Sequence, residues 1–128
     1  MLWRDMPREE RRRAYRAWLQ PHDLRGRNLR YSLLTILHDA ARPMRIAELI
    51  RELERLGLVV GGRDPHKTVG DVLRYEVGLG RVRRVARGTY RIGEIRPATT
   101  AYAHRRRFQD LVAEGRVRAR RKPPPAAP

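Results

Sequence analysis

Cysteine is absent from this chain, which excludes disulfides and thiolate metal sites. Long apolar runs are absent too. The longest are of the kind Leu58-Val59-Val60, far short of the ~20 residues that a membrane-spanning helix needs. The start, Met1-Leu2-Trp3-Arg4-Asp5, has no apolar signal region. Aromatic residues are sparse, with one Phe, two Trp and five Tyr. That is a poor supply for stacking unpaired bases, so RNA is not the favoured partner. Lysine is nearly missing: of the 30 basic residues, all but Lys67 and Lys122 are arginine. Acidic residues number 14, which leaves a formal net charge of +16. A GC-rich coding bias would explain arginine over lysine, but not the excess of positive over negative charge. A polyanionic partner follows, because each neutralised phosphate releases condensed counterions. Together these absences lead to the expectation of a soluble cytoplasmic protein, nucleoid-associated if the polyanion is DNA.

Catalytic chemistry finds no foothold. His22, His38, His66 and His104 are scattered without metal-ligand spacing. Asp39 and Glu76 fall on separate amphipathic segments and read as solvated carboxylates, not as an acid/base pair. Gly78-Leu79-Gly80 lacks the Gly-Lys-Ser/Thr end of a phosphate loop and follows a helix, not a strand. No enzyme activity, metal or cofactor is expected.

The chain divides into four stretches. Residues 1–27 read as a basic amphipathic helix, with Asp5 at the N-cap and Pro7 in the first turn. Ala14, Tyr15, Trp18 and Leu19 share one face, and Pro21 ends the helix. Residues 28–93 are the core domain. Leu29, Leu33, Ile36, Leu37 and Ala40 form a helical stripe with Leu34 at its edge, broken at Arg42-Pro43. A second helix covers about 45–56, with Ile46, Leu49, Ile50, Leu53 and Leu56 inward and Gly57 as its left-handed terminator. Asp64-Pro65 opens a third, a carboxylate cap followed by proline at the first helical position. Val69, Val72, Leu73 and Val77 point inward from it, and Gly78 and Gly80 end it.

Arg81 to Ile92 reads as a hairpin closed by Ala86-Arg87-Gly88, with Tyr90 and Ile92 on one face. A bulge near Arg83-Arg84 would bring Val82 and Val85 to a common face. Residues 94–115 hold one more helix, at about 100–114, with Phe108, Leu111 and Val112 clustered. Residues 116–128 are basic, then proline-rich, and too poor in apolar side chains to offset chain entropy; disorder is the expectation. The fold class is therefore α+β, mainly helical. Three helices and a β-hairpin wing make a winged helix-turn-helix, with a helix flanking it on each side.

Charge is distributed unevenly. The second helix balances Arg45, Arg51 and Arg55 against Glu48, Glu52 and Glu54. The hairpin carries Arg81, Arg83, Arg84, Arg87 and Arg91 and no carboxylate. Positive charge is thus concentrated where a wing would meet phosphate.

The stretch Ala41-Arg42-Pro43-Met44-Arg45-Ile46-Ala47-Glu48-Leu49-Ile50, with Asp64-Pro65-His66-Lys67-Thr68-Val69 and Gly88-Thr89-Tyr90-Arg91-Ile92, resembles the HARE-type winged helix-turn-helix group. The resemblance spans residues 29–93. It implies that the third helix enters the major groove of duplex DNA, with His66, Lys67, Gly70, Asp71 and Arg74 outward. Lys67 and Arg74 would be the leading contacts. Asp71 either pairs with Arg74, which is favoured, or accepts from cytosine. Arg83, Arg84 and Arg87 of the wing would meet phosphate or the minor groove, with Arg81 and Arg91 in second rank.

Outside the domain, Arg116, Arg118, Arg120, Arg121 and Lys122 form a basic arm suited to non-specific nucleic-acid contact. Tyr15, Trp18 and Leu19 either pack on the domain or make the seam of a homodimer. The expected function is double-stranded DNA binding, sequence-specific or architectural, in a small transcription regulator. The alternative is a non-enzymatic protein-interaction module of a transcription or nucleoprotein complex.

Overall fold

The computed structural model describes residues 5–11, 23–94 and 96–120. Of the expected N-terminal helix, a single turn at 8–11 is among them; it starts after Pro7, whose carbonyl accepts from Arg11 N at 2.9 Å. Trp3, Tyr15, Trp18 and Leu19 lie outside the described residues, as do Arg121 and Lys122.

The architecture is α+β and mostly helical. In chain order it runs β1 (Asp23–Leu24), α1 (Gly26–Ala40), β2 (Met44–Arg45), α2 (Ile46–Arg55), β3 (Val59–Val60), α3 (Pro65–Gly78), β4 (Val82–Ala86), β5 (Thr89–Ile92) and α4 (Ala98–Arg120). β1 pairs in parallel with β3. β2, β5 and β4 form an antiparallel sheet with β5 in the centre. The two-residue strands β1, β2 and β3 were not expected; they are too short to show a period of two.

α1 is the central helix. It packs on α4 along one flank and on α3 and β5 along the other. This double cover buries Leu34 completely, where the sequence put it at the edge of the stripe. It also buries the hydroxyls of Ser32 and Thr35, which donate back to the carbonyls of Asn28 (2.7 Å) and Tyr31 (2.8 Å). Both buried hydroxyls therefore keep a partner.

Helix ends follow the local chemistry. α2 closes on Gly57 at φ +79°. Gly57 N donates to Glu54 O at 2.9 Å and Leu58 N to Leu53 O at 2.9 Å. These two reverse bonds satisfy carbonyls that the helix leaves open, and buried Leu53 and Leu58 meet across them. At the start of α3, Asp64 accepts from Lys67 N at 3.1 Å and Pro65 takes the first turn.

The hairpin differs from expectation in one detail. The irregularity falls between Arg84 and Ala86, so Val85 is the extra residue. It stays outside, 48 % exposed, and does not join Val82 in the core. Tyr90 and Ile92 share the inner face as expected, Tyr90 being buried and Ile92 packed on the core.

α4 also departs from expectation. It does not end at Glu114 but runs through Gly115 to Arg120, so the basic segment 116–120 continues a helix. Gly115 is the reason this is compatible with packing: it is buried, and a β-carbon there would stand 3.1 Å from Gly57 O. The missing side chain lets the helix cross directly over the turn that ends α2. Leu111 is buried and Phe108 and Val112 pack beside it. Two polar ties hold the same helix to α1: Arg105 grips Asp39 with both terminal nitrogens (2.8 and 2.5 Å), and Arg107 Nε donates to Asn28 Oδ1 at 3.1 Å.

Candidate functional site

The start of α3 and the inner side of the β4–β5 ribbon enclose an open groove of about 310 Å³. His66, Lys67 and Arg74 border it from the helix, and Arg84 and Arg87 from the ribbon. Ile46, Gly70, Gly88 and Tyr90 make its floor. All five bordering cationic or titratable side chains are exposed.

Local sequence places each of them. The Asp64 cap fixes where α3 begins, so His66 and Lys67 stand in its first turn, at the positive end of the helix dipole. Arg74 follows two helical turns on. Gly70 lies between them and is buried, a correction to its expected outward position. A β-carbon there would stand 3.5 Å from Ile46 Cδ1 and 3.6 Å from Arg74 Nη1, so α2 and α3 approach at this glycine. On the ribbon, antiparallel register pairs Arg84 with buried Tyr90, which turns Arg84 toward α3. Gly88, at φ +69°, closes the turn that carries Arg87. Gly88 O accepts from Ile46 N at 3.1 Å, which fastens the ribbon tip to the start of α2.

Arg74 carries an ion pair with Asp71, the favoured of the two expectations for that carboxylate. Both side chains are more than half exposed. Such a pair contributes roughly 0–1 kcal/mol, so exchanging the carboxylate for a phosphate costs Arg74 little.

Arg81 does not belong to this surface, a correction to its expected role. Its Nε donates to Glu76 Oε2 at 2.5 Å and its Nη2 to Oε1 at 3.1 Å. Glu76 is 1 % exposed, and Arg30 Nε stands 2.8 Å from its Oε1, angled as an ion pair without a hydrogen bond. A buried carboxylate needs such partners, and Arg81 is one of them. Glu76 is thus neither solvated nor paired with Asp39, which is exposed on α1 and held below its ordinary pKa chiefly by the Arg105 hydrogen bonds.

The sequence carries a signal for this cluster. Glu76 follows Val69 and Leu73 at helical spacing, and Arg30 precedes Leu33, Leu34 and Leu37 in the same way. Charged residues on two buried stripes are a mutual pair in waiting.

Beside Glu76 lies a polar stack. The Arg30 guanidinium sits 5.8 Å from the Tyr31 ring centre and 5.7 Å from that of Tyr75. Tyr31 in turn stacks on His104 at 4.1 Å and 16°. His104 Nδ1 accepts from Arg96 Nη1, since guanidinium has no acceptor. The ring is therefore neutral, with its proton on Nε2. Burial first, then Arg96, Arg81 and Arg30, hold its pKa below the ordinary value.

Arg83 and Arg91 pair with each other across the ribbon, on the side facing away from the core. Arg116 is exposed near the end of α4, and the side chains of Arg118 and Arg120 lie outside the described residues. Among the described residues, no three His, Asp or Glu side chains converge as metal ligands, and no helix is long and apolar enough to cross a membrane. The chain matches no protein-family model, no curated protein and no solved structure.

Proposed function

We propose that this chain is a non-enzymatic, double-stranded DNA-binding protein built as a winged helix-turn-helix, serving as a small transcription regulator or an architectural nucleoid protein. The element order supports the reading: three helices, then a two-stranded ribbon whose second strand pairs with the short strand between the first and second helices. The observation that carries it is the groove, where Lys67, Arg74, Arg84 and Arg87 converge from two elements. In this reading α3 lies in the major groove with His66 and Lys67 leading, and Arg84 and Arg87 reach the flanking backbone. Arg116 to Lys122 extend the contact as a basic arm.

Fluorescence anisotropy with a random-sequence duplex, titrated from low to moderate salt, tests it. Binding at low salt that weakens steeply as salt rises is the expected result. No binding at low salt, or binding indifferent to salt, refutes it.

A second reading has its own support. Tyr75 is exposed on the C-terminal half of α3, Leu79 is exposed just past its end, and Tyr102 is 66 % exposed on α4. These apolar side chains favour a protein-interaction module of a nucleoprotein complex. Retention of a stoichiometric protein partner after nuclease treatment, with no intrinsic duplex affinity, would select it.

A further inference from the structure

The groove uses one side of the β4–β5 ribbon, and the other side is cationic as well. Register sends Val82, Arg84, Tyr90 and Ile92 inward, and Arg83 and Arg91 outward. β2 adds Arg45, which shares the outer side with its partner Thr89. Each of the three strands therefore gives one exposed arginine to the outer face of the sheet.

Two observations set this face apart from ordinary surface charge. Arg83 and Arg91 stand directly opposite one another, and like charges so placed destabilise a sheet. Neither guanidinium has a hydrogen bond or ion pair among the described residues to offset that cost. Glu94 lines an open trough beside the ribbon together with both arginines and bridges to neither. The second observation concerns strand position. Charge on an edge strand deters unwanted strand addition, which accounts for Arg83 on β4. It does not account for Arg91, because β5 is the central strand and has no free edge.

We propose that the outer face is a second duplex-binding surface, so that one molecule holds two DNA segments: one in the groove, the other across the sheet. The inference rests on the groove reading. Between the arginines lie Thr89 and Ala86, small side chains that leave the guanidinium groups free to meet a phosphate backbone. Among the described residues no aromatic ring stands on this face for stacking unpaired bases, which selects a duplex over a single strand.

The test loads the full chain onto bead-immobilised duplex and challenges it with a labelled second duplex. Wild type captures the second duplex. The Arg83→Ser/Arg91→Ser variant is expected to bind a single duplex in anisotropy within about twofold of wild type, yet to capture roughly tenfold less of the second, two phosphate contacts having been removed. It should melt no lower than wild type, since a repulsive pair is relieved. Arg84→Ser/Arg87→Ser loses capture of a second duplex and keeps only the weaker single-duplex binding of the outer face. Unchanged capture by the outer-face variant overturns the proposal, because paired copies would bridge in just that way. A parallel loss of its single-duplex affinity also overturns it, by making both ribbon sides one contact. Wild type that binds one duplex and captures no second overturns the inference and leaves the groove reading standing. Failure to bind any duplex defeats the groove reading itself.

Discussion

Two residues, Glu76 and His104, carry the internal electrostatics. Among the described residues Glu76 is the sole carboxylate paired with Arg30 and Arg81, so Glu76→Gln leaves two guanidinium groups without that counter-charge. A loss of about 3 kcal/mol is expected in urea denaturation, the lower end for breaking a buried pair because both arginines are about a quarter exposed. A loss under about 1 kcal/mol would mean that water already serves these arginines. His104 makes stability depend on pH. Its folded pKa lies below the ordinary 6.5, so the unfolded chain takes up the proton first. Stability is complete above about 6.5 and drains away as pH falls below it, until the folded ring protonates too. Arg96, Arg81 and Arg30 face the incoming charge, with Glu76 alone opposing them. Melting temperature should drop between pH 7.5 and 5.5 in wild type and flatten over that range in His104→Gln. An equal drop in both would assign the effect to other groups. The Glu76–Arg30 pair had a signal in the two apolar stripes that carry it, but the role of His104 had none, because a lone histidine acquires partners only when α1 and α4 meet.

At the scale of elements, what could be read was what is coded locally. The Asp64-Pro65 start of α3, the Gly57 stop of α2 and the turn at Gly88 all depend on residues within a few positions of one another. The short strands could not be read this way, since β1 and β2 exist through pairing with β3 and β5. The end of α4 was misplaced for a related reason. Glycine weakens a helix by about 1 kcal/mol relative to alanine, so local propensity favours a helix end at Gly115. Its actual role is contact with Gly57 from a distant part of the chain. Gly115→Leu should therefore destabilise by about 1–3 kcal/mol, as overpacking does, even though leucine is the better helix former. A gain in stability would show that α4 does not sit against the α2 turn.

For the whole molecule, total charge says less than its arrangement. The chain carries +16, but Arg30, Arg81 and Arg105 serve carboxylates within the fold. Lys67, Arg84 and Arg87 remain to face a partner together. Replacing these three with serine should lower the slope of log affinity against log salt by about 3, near 0.9 per phosphate contact, with little change in melting temperature. A slope that stays put would shift the contact to the basic arm. The sequence foretold the members of this site better than its membership: spacing put Arg84 and Arg87 on a ribbon, but their meeting with α3, and the departure of Arg81, are tertiary facts.

The extra residue at Val85 has one more effect. Two residues of β4 face a single one of β5 there, so the side-to-side alternation restarts between Arg84 and the turn. Deleting Val85 would join the Arg84–Tyr90 and Ala86–Thr89 pairings into an unbroken ladder, straightening the ribbon and leaving every other pairing in place. The twist of the ribbon between Arg84 and its tip is thus set by a single codon, while the tip itself stays tethered to the start of α2.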